Sequence, residues 1–414
     1  MALQVKQLDL KRQSGSGIGK HRCPEEHPMS SPAILDSQFE AAISSGKVAG
    51  AVALAAKADG TVLYNGVFGE RRIGSGNPMT EDTVFWIASM TKAITCVGML
   101  QLIEQGKAAM DQPAAELLPA LGNPQLLTGF DANGQPELRP AEKAITIRHL
   151  LTHTCGMDIF MWSEAMNRYM EVTGTDRNID PDNPKLNLPL IAEPGTRWQY
   201  SSGIDWAGIV IEAITGKKLG AYLKETIFDP LGMESTGFDR TESMYLRAAP
   251  LHLRKADGKL HPQDLGPNTP PKLHRGGGGL NTTAGDYMAF MLELLNGGGR
   301  LLKPETMPLV TENQMGNLRV TPMKTVQPAL SYDAEFFPGV PKTWTAAFLT
   351  NLEDAPTGRS AGSLAWAGLT NCYQWIDPKK GVAGIVLAQH HPFADPAVLD
   401  LLYGLERHVY SEIG

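Results

Sequence analysis

The sequence predicts an α/β (α+β) fold in which an antiparallel sheet is flanked by helices and interrupted by a mostly helical lobe. Three observations carry that prediction. Strand-like apolar runs lie towards both ends of the chain, in residues 49–69 and 342–388. Residues 111–271 have a different texture, with many prolines, loops and helical pieces and little period-two alternation. Between the first strands and that insertion, residues 89–106 read as a helix that is apolar nearly all round, which marks a buried central helix. The expected division is a lead-in over 1–31, an α/β domain built from 32–110 and 272–414, and a mostly helical domain over 111–271.

In chain order, Pro32 to Ser45 reads as a helix burying Ile34, Phe39, Ala42 and Ile43. Ala49 to Lys57 and Thr61 to Gly69 form a hairpin around the turn Ala58-Asp59-Gly60. Ile147 to Gly156 reads as a short helix with a glycine stop. Ser201-Ser202 can cap a helix that runs from Ile204 to Ile214. Residues 274–280 contain four glycines but lack the spacing of a phosphate loop, so close backbone packing or a bend is expected. Thr283 with Asp286 resembles a capping box before the helix Tyr287 to Leu295. Lys342 to Thr350, Leu364 to Ile376 and Val382 to Ala388 read as strands, and Pro396 to Ser411 as the last helix. The short links between strands imply antiparallel pairing.

Composition narrows the function. A chain of 414 residues can bury a large core. A net charge of −7 without a long basic run argues against nucleic acid as a partner. No apolar run approaches the ~18 residues of a membrane helix, so no membrane association is expected. Met1 to His27 lacks the apolar core of a secretory leader, and the expected location is the cytoplasm. Cys23, Cys96, Cys155 and Cys372 are widely spaced, which fits reduced thiols and not a disulfide frame or zinc site.

The chemistry concentrates at Ser89-Met90-Thr91-Lys92. Five apolar residues, Val84 to Ala88, run straight into it, and the polar residues of the helix crowd into its first two turns. Residues three apart share a helix face, so Ser89 and Lys92 point the same way. A lysine buried there must be paired or give up its charge. A serine one turn from a desolvated amine is placed to become an activated nucleophile. The same spacing occurs at Ser44-Ser45-Gly46-Lys47, but on a polar, glycine-containing helix end. Tyr200 stands at the mouth of a loop just before a helix. Alone, such a tyrosine is a packing residue with a bonded hydroxyl.

Ser89-Met90-Thr91-Lys92, Tyr200-Ser201-Ser202 and Trp366-Ala367-Gly368, in this order and spacing, resemble the serine β-lactamase/penicillin-binding-protein superfamily. Within it the chain is most similar to the family VIII carboxylesterases, the class C β-lactamase-like esterases. The resemblance runs from about residue 33 onward and includes Leu150 to Gly156, Glu193 to Thr196, Pro230 to Met233 and Gly276 to Leu280. It implies a β-lactamase/transpeptidase-like fold. It also implies Ser89 as acylated nucleophile, Lys92 as part of the base and Tyr200 as the proton relay, a variant of triad logic. The backbone N–H groups of Ser89 and Leu369 would form the oxyanion hole, and Gly368 would let backbone come close to substrate. Ser202, Trp366, Phe160 and Trp162, with Met161 between the last two, are the expected substrate-binding residues. Two departures matter. Trp366 stands where β-lactamases carry the lysine that binds a carboxylate, and Ser202 stands where class C enzymes have asparagine. An indole offers an apolar wall and one N–H. Both changes favour a neutral small-molecule ester, cleaved without metal or organic cofactor, with weak β-lactamase side activity. A class C-type β-lactamase, a D-amino-acid peptidase and a non-catalytic scaffold are the alternatives. The oligomeric state is not specified by the sequence.

Two other constellations compete. Gly358-Arg359-Ser360-Ala361-Gly362 fits a nucleophile elbow, with His274-Arg275-Gly276-Gly277-Gly278 as an upstream oxyanion motif. An elbow needs a buried strand before it, whereas Glu353 to Thr357 precede this one, and too little chain follows Ser360. His149 and His153 have metal-ligand spacing, but Leu150 replaces the glutamate of H-E-x-x-H and a packed histidine pair is expected.

Overall fold

The computed structural model describes residues 32–414. The expected lead-in over 1–31, and Cys23 within it, lie outside the described residues.

Seven strands form one antiparallel sheet: β1 (Gly50–Lys57), β2 (Val62–Gly69), β3 (Lys342–Trp344), β4 (Leu349–Asn351), β5 (Leu364–Gly368), β6 (Cys372–Asp377) and β7 (Val382–Leu387). Their spatial order is β2-β1-β7-β6-β5-β4-β3, so the N-terminal hairpin joins the C-terminal strands through β1 and β7. Val52 stands opposite Leu387 there, and Trp366 opposite Gln374 between β5 and β6.

Side chains alternate across the pleat and feed two cores. On one face, Val52, Ile385 and Leu387 pack with three helices: α2 (Thr91–Glu104), α3 (Gly203–Thr215) and α4 (Ala284–Leu295). On the other, Ala51, Ala53 and Val386 pack against α1 (Pro32–Ser44) and α5 (Pro396–Ile413). Helix α2 is buried from Thr91 to Leu102, and Gly106 follows it with φ +68° as a left-handed stop. Each leucine-sized side chain so buried contributes about 1.5–3 kcal/mol. Ile94, Val97 and Leu100 therefore anchor the helix that begins at Thr91, two residues beyond Ser89. No helix among the described residues is long and apolar enough to cross a membrane.

Several expectations are corrected. Lys342 to Thr350 is a tight hairpin and not one strand, because Thr345 Oγ1 accepts the Ala347 and Phe348 N–H groups and turns the chain. Leu364 to Ile376 is likewise a hairpin, turned at Asn371 with φ +62°. Residues 111–271 include two hairpins, Gln125–Phe130 with Pro136–Pro140 and His252–Arg254 with Leu260–Pro262. Ile34 is 55% exposed, and Leu35 takes the buried place beside Phe39. Ser202 occupies the N-cap of α3 without a capping hydrogen bond; the Ser201 hydroxyl accepts the Gly203 N–H instead. Thr283 caps α4 by accepting from the Asp286 N–H, but the Asp286 carboxylate turns to Ser235 and Thr236, so the box is half formed.

Candidate active site

Apolar residues carry the chain into the site. Phe85–Trp86 pairs with Asn281–Thr282, and a single 3₁₀ turn, Ala88–Met90, leads directly into α2. Ala88 is held at φ +42°, a conformation an alanine adopts only under constraint. The constraint is a set of bonds around the turn. Ile87 N–H donates to Leu280 O, Thr91 Oγ1 donates to Ala88 O, and Trp86 Nε1 donates to Gly278 O. The turn leaves Ser89 half-buried while its neighbours on both sides are buried.

Lys92 Nζ lies 3.0 Å from Ser89 Oγ. It also donates to Gly277 O at 2.5 Å, so both of its hydrogen bonds end on neutral oxygens. The glycine run is thereby a backbone strap. Gly276 O accepts from Thr95 Oγ1, and the Gly277 N–H donates to Asp205 Oδ1 at the start of α3. A Cβ at Gly276 would stand 2.8 Å from Ile204 O and 2.9 Å from Thr95 Cγ2, which is why this approach needs glycine. Close packing was expected of the run; the carbonyl it offers to Lys92 was not, since backbone acceptors leave no mark on side-chain patterns.

Lys92 Nζ faces the Tyr200 ring, 4.8 Å from its centroid. Tyr200 is 2% exposed, and its Oη accepts from Trp366 Nε1 at 3.0 Å. Aromatic rings enclose it: Trp366 at 4.8 Å between centroids, His153 at 4.6 Å and Trp162 at 5.5 Å. Trp344 packs edge-on to both Trp366 and His153. Trp344, Trp198 and His153 went unrecognised as part of this wall, because neither spacing nor composition separates them from ordinary core aromatics. His153 Nδ1 accepts from the Ser201 N–H, and burial, with the Lys92 charge as a smaller cause, holds the imidazole well below its usual pKa. It is a neutral packing ring. His149 is used elsewhere, its Nδ1 accepting from the Thr146 N–H at the cap of the short helix Ile147–Leu151.

The third motif meets the turn that carries Ser89 through backbone. A Cβ at Gly368 would stand 2.2 Å from Ile87 O, so glycine is required for β5 to lie against the turn that presents Ser89. Thr370 Oγ1, donating to Trp86 O, pins the same junction, with Leu369 between the two contacts. Trp366 does not stand as a free apolar wall, since its one N–H is engaged with Tyr200. Trp162 packs edge-on against Tyr200. Phe160 is covered by the Arg177 guanidinium at 3.8 Å, and Met161 is buried. The Ser202 hydroxyl contacts Met157 Sδ. Asp158, close by and bonded to Gln199, has its pKa raised by burial to about 6.

Ser360 lies in a different setting. Its N–H donates to Asp377 Oδ2, while neighbouring Arg359 pairs with buried Glu406. His274 Nδ1 accepts from the Gly220 N–H and the ring stacks on Phe238. An amine one hydrogen bond from a serine hydroxyl, beside a buried phenol and a backbone crossing, is a set of groups able to take up, hold and return a proton while an oxygen attacks an acyl carbon.

Comparison with known proteins places this geometry. The family model described as Beta-lactamase matches residues 35–407. Monacolin J acid methylbutanoyltransferase of Aspergillus terreus is 30% identical over 92% of this chain and 95% of its own. Lovastatin esterase of Penicillium rubens is 31% identical over 85% of this chain and 91% of its own. Among solved structures, a simvastatin synthase from Aspergillus terreus superposes with a TM-score of 0.80 at 30% identity, covering 92% of this chain and 95% of that one. EstCE1, a hydrolase with promiscuous acyltransferase activity, shares the fold with a TM-score of 0.71 at 22% identity, over 90% of this chain and 97% of its own. On the family match over nearly its whole length, the chain belongs to the Beta-lactamase family, within the serine β-lactamase/penicillin-binding-protein superfamily.

Proposed function

We propose that the protein is a carboxylic ester hydrolase of the family VIII kind that works through a Ser89 acyl-enzyme on short- to medium-chain esters. The observation that carries this reading is the 3.0 Å contact between Lys92 Nζ and Ser89 Oγ, with Lys92 bonded only to neutral oxygens. In the neutral form the Lys92 amine takes the Ser89 proton as Oγ attacks the ester carbon. The tetrahedral centre collapses, the C–O bond breaks, and the alcohol leaves with a proton returned through Tyr200. Water then repeats the sequence on the acyl-enzyme and releases the acid. The N–H groups of Ser89 and Leu369 are the proposed donors to the oxyanion. Trp366, whose N–H is already taken, offers nothing to the carboxylate of a β-lactam, which favours neutral esters. The cytoplasm remains the proposed location and a small neutral ester the proposed partner.

A second reading is acyl transfer, in which an alcohol replaces water at the second step. The acyltransferase at 30% identity favours it. One experiment tests the main reading. A fluorophosphonate is reacted with the protein and the labelled peptide is mapped, with p-nitrophenyl butyrate and nitrocefin turnover measured in parallel. The expected result is a label on Ser89 and butyrate turnover far above nitrocefin turnover. A label on Ser360 would overturn the site, and nitrocefin as the better substrate would overturn the ester preference. Product partition between butyric acid and an added alcohol's butyrate ester separates hydrolysis from transfer.

A further inference from the structure

We infer that Trp366 is a positioning residue that directs the Tyr200 hydroxyl proton towards the oxygen of the departing alcohol. The inference rests on the acyl-enzyme reading and deepens it. An indole N–H can donate a hydrogen bond and cannot accept one, whereas a phenol has one hydrogen to give and lone pairs to receive. Trp366 Nε1 lies 3.0 Å from Tyr200 Oη, so that bond runs from tryptophan to tyrosine. The tyrosine hydrogen therefore cannot be spent on Trp366.

The other near neighbours do not take it either. His153 meets the Tyr200 ring with its own ring, and its acceptor nitrogen Nδ1 is occupied by the Ser201 N–H. Trp162 meets the ring edge-on, and its indole, too, only donates. Trp198, tilted against the ring, is a donor as well. Among the described residues the Tyr200 hydroxyl therefore donates to no protein acceptor, and its hydrogen is left for a bound substrate oxygen on the side where Lys92 and Ser89 stand. Trp366 is itself locked, edge-on to Trp344 at 4.7 Å between centroids and to Phe336 at 6.2 Å. The proton is thus aimed by a rigid partner, which lowers the cost of orienting it at the moment of reaction.

The step balances as follows. Ser89 Oγ bonds to the acyl carbon and its proton passes to the Lys92 amine. The bond from carbon to the alcohol oxygen breaks, and that oxygen takes the Tyr200 proton. The resulting phenolate keeps the Trp366 N–H bond and regains a proton from the Lys92 ammonium. A charged acceptor strengthens the indole bond, so Trp366 holds the phenolate more tightly than the phenol.

The test compares two esters of one acid. Ethyl butyrate needs a proton on its leaving oxygen; p-nitrophenyl butyrate hardly does. Trp366→Phe should lower kcat/KM for both, but the ratio of the aryl to the alkyl ester should rise by about 100-fold, the scale of one lost general acid. A second variant with 3-benzothienylalanine at position 366 keeps the bicyclic ring and removes only the N–H; it should show the same ratio change. Tyr200→Phe should raise the ratio at least as far. Equal losses on both esters in both position-366 variants would make Trp366 a packing residue and overturn the inference, leaving the Ser89 reading intact. Full ester turnover in Ser89→Ala would overturn both together.

Discussion

Two serine motifs are embedded in buried polar surroundings, and they differ in what the surroundings have left over. Around Ser360, the polar groups are largely spent on one another, Arg359 Nε being the buried exception. Arg359 and Thr357 both engage Glu406, and Asp377 accepts from the Ser360 N–H, the Lys380 N–H and the Tyr410 hydroxyl. Around Ser89, capacity remains. His153 Nε2 and the indole nitrogens of Trp162, Trp198 and Trp344 are buried without a partner. Lys92 faces a ring and neutral oxygens, with a half-buried serine open beside it. The lesson is that a motif becomes a reaction centre through the unspent capacity of its neighbours. A nearly saturated network specifies structure; one with several unspent groups has capacity for a ligand.

The largest effect that sharpens this contrast is at the serines themselves. Ser89→Ala should lower ester turnover by at least about 10⁴-fold, whereas Ser360→Ala should stay within a factor of a few; steady-state assays on both variants decide it. Next comes the saturated side. Glu406→Gln leaves Arg359 buried without its counter-charge and should cost about 3–5 kcal/mol of stability, read by urea unfolding, while activity per folded molecule is retained. A stable Glu406→Gln protein with lost activity would invert the comparison.

A smaller effect is expected at the junction between the two halves of the site. Gly368→Ala puts a methyl group against Ile87 O, two residues before Ser89, and should lower kcat about 100-fold if one proposed oxyanion donor is displaced. The smallest is electrostatic. Burial raises the Asp158 carboxyl to about 6 from an ordinary 3.8, so it holds its proton more tightly folded than unfolded. Its contribution is neutral below about pH 4 and destabilising as pH rises through 6. Asp158→Asn should therefore gain on the order of 2 kcal/mol at pH 8 and almost nothing at pH 4, measured by urea unfolding at both values. An equal gain at both would exclude a titrating carboxyl.

Much of the molecule was legible in the sequence where signals are local. The three-residue spacing of Ser89 and Lys92 on an apolar helix foretold their contact, and Gly106 foretold the helix end. Ala58-Asp59-Gly60 announced the first hairpin. The turns inside 342–350 and 364–376 were hidden because they are made from Thr345 and Asn371 amid apolar residues, with no proline and no glycine at the left-handed position. Tyr200 and Trp366 are 166 residues apart, and a bond across that distance has no pattern in the chain. Ser202 was placed at the site by the resemblance and Phe160 by its position after the His153-Thr154-Cys155-Gly156 turn; the Ser202 hydroxyl contacts Met157 and the Phe160 ring lies under Arg177. Short-range periodicity does not encode which neighbour a side chain chooses.

The aromatic wall has an optical consequence. Three of the seven tryptophans, Trp162, Trp198 and Trp366, meet the Tyr200 ring, and a fourth, Trp344, packs behind them, 6.0 Å from Trp198 and 4.7 Å from Trp366. Transition dipoles so close mix, and their coupled circular dichroism depends steeply on the angles between the rings. Acylation of Ser89 that tilts Trp366 by a few degrees should change the near-ultraviolet spectrum without any added dye. The tryptophan cluster should thus report, as an exciton-coupled signal, on what occupies the centre beside it.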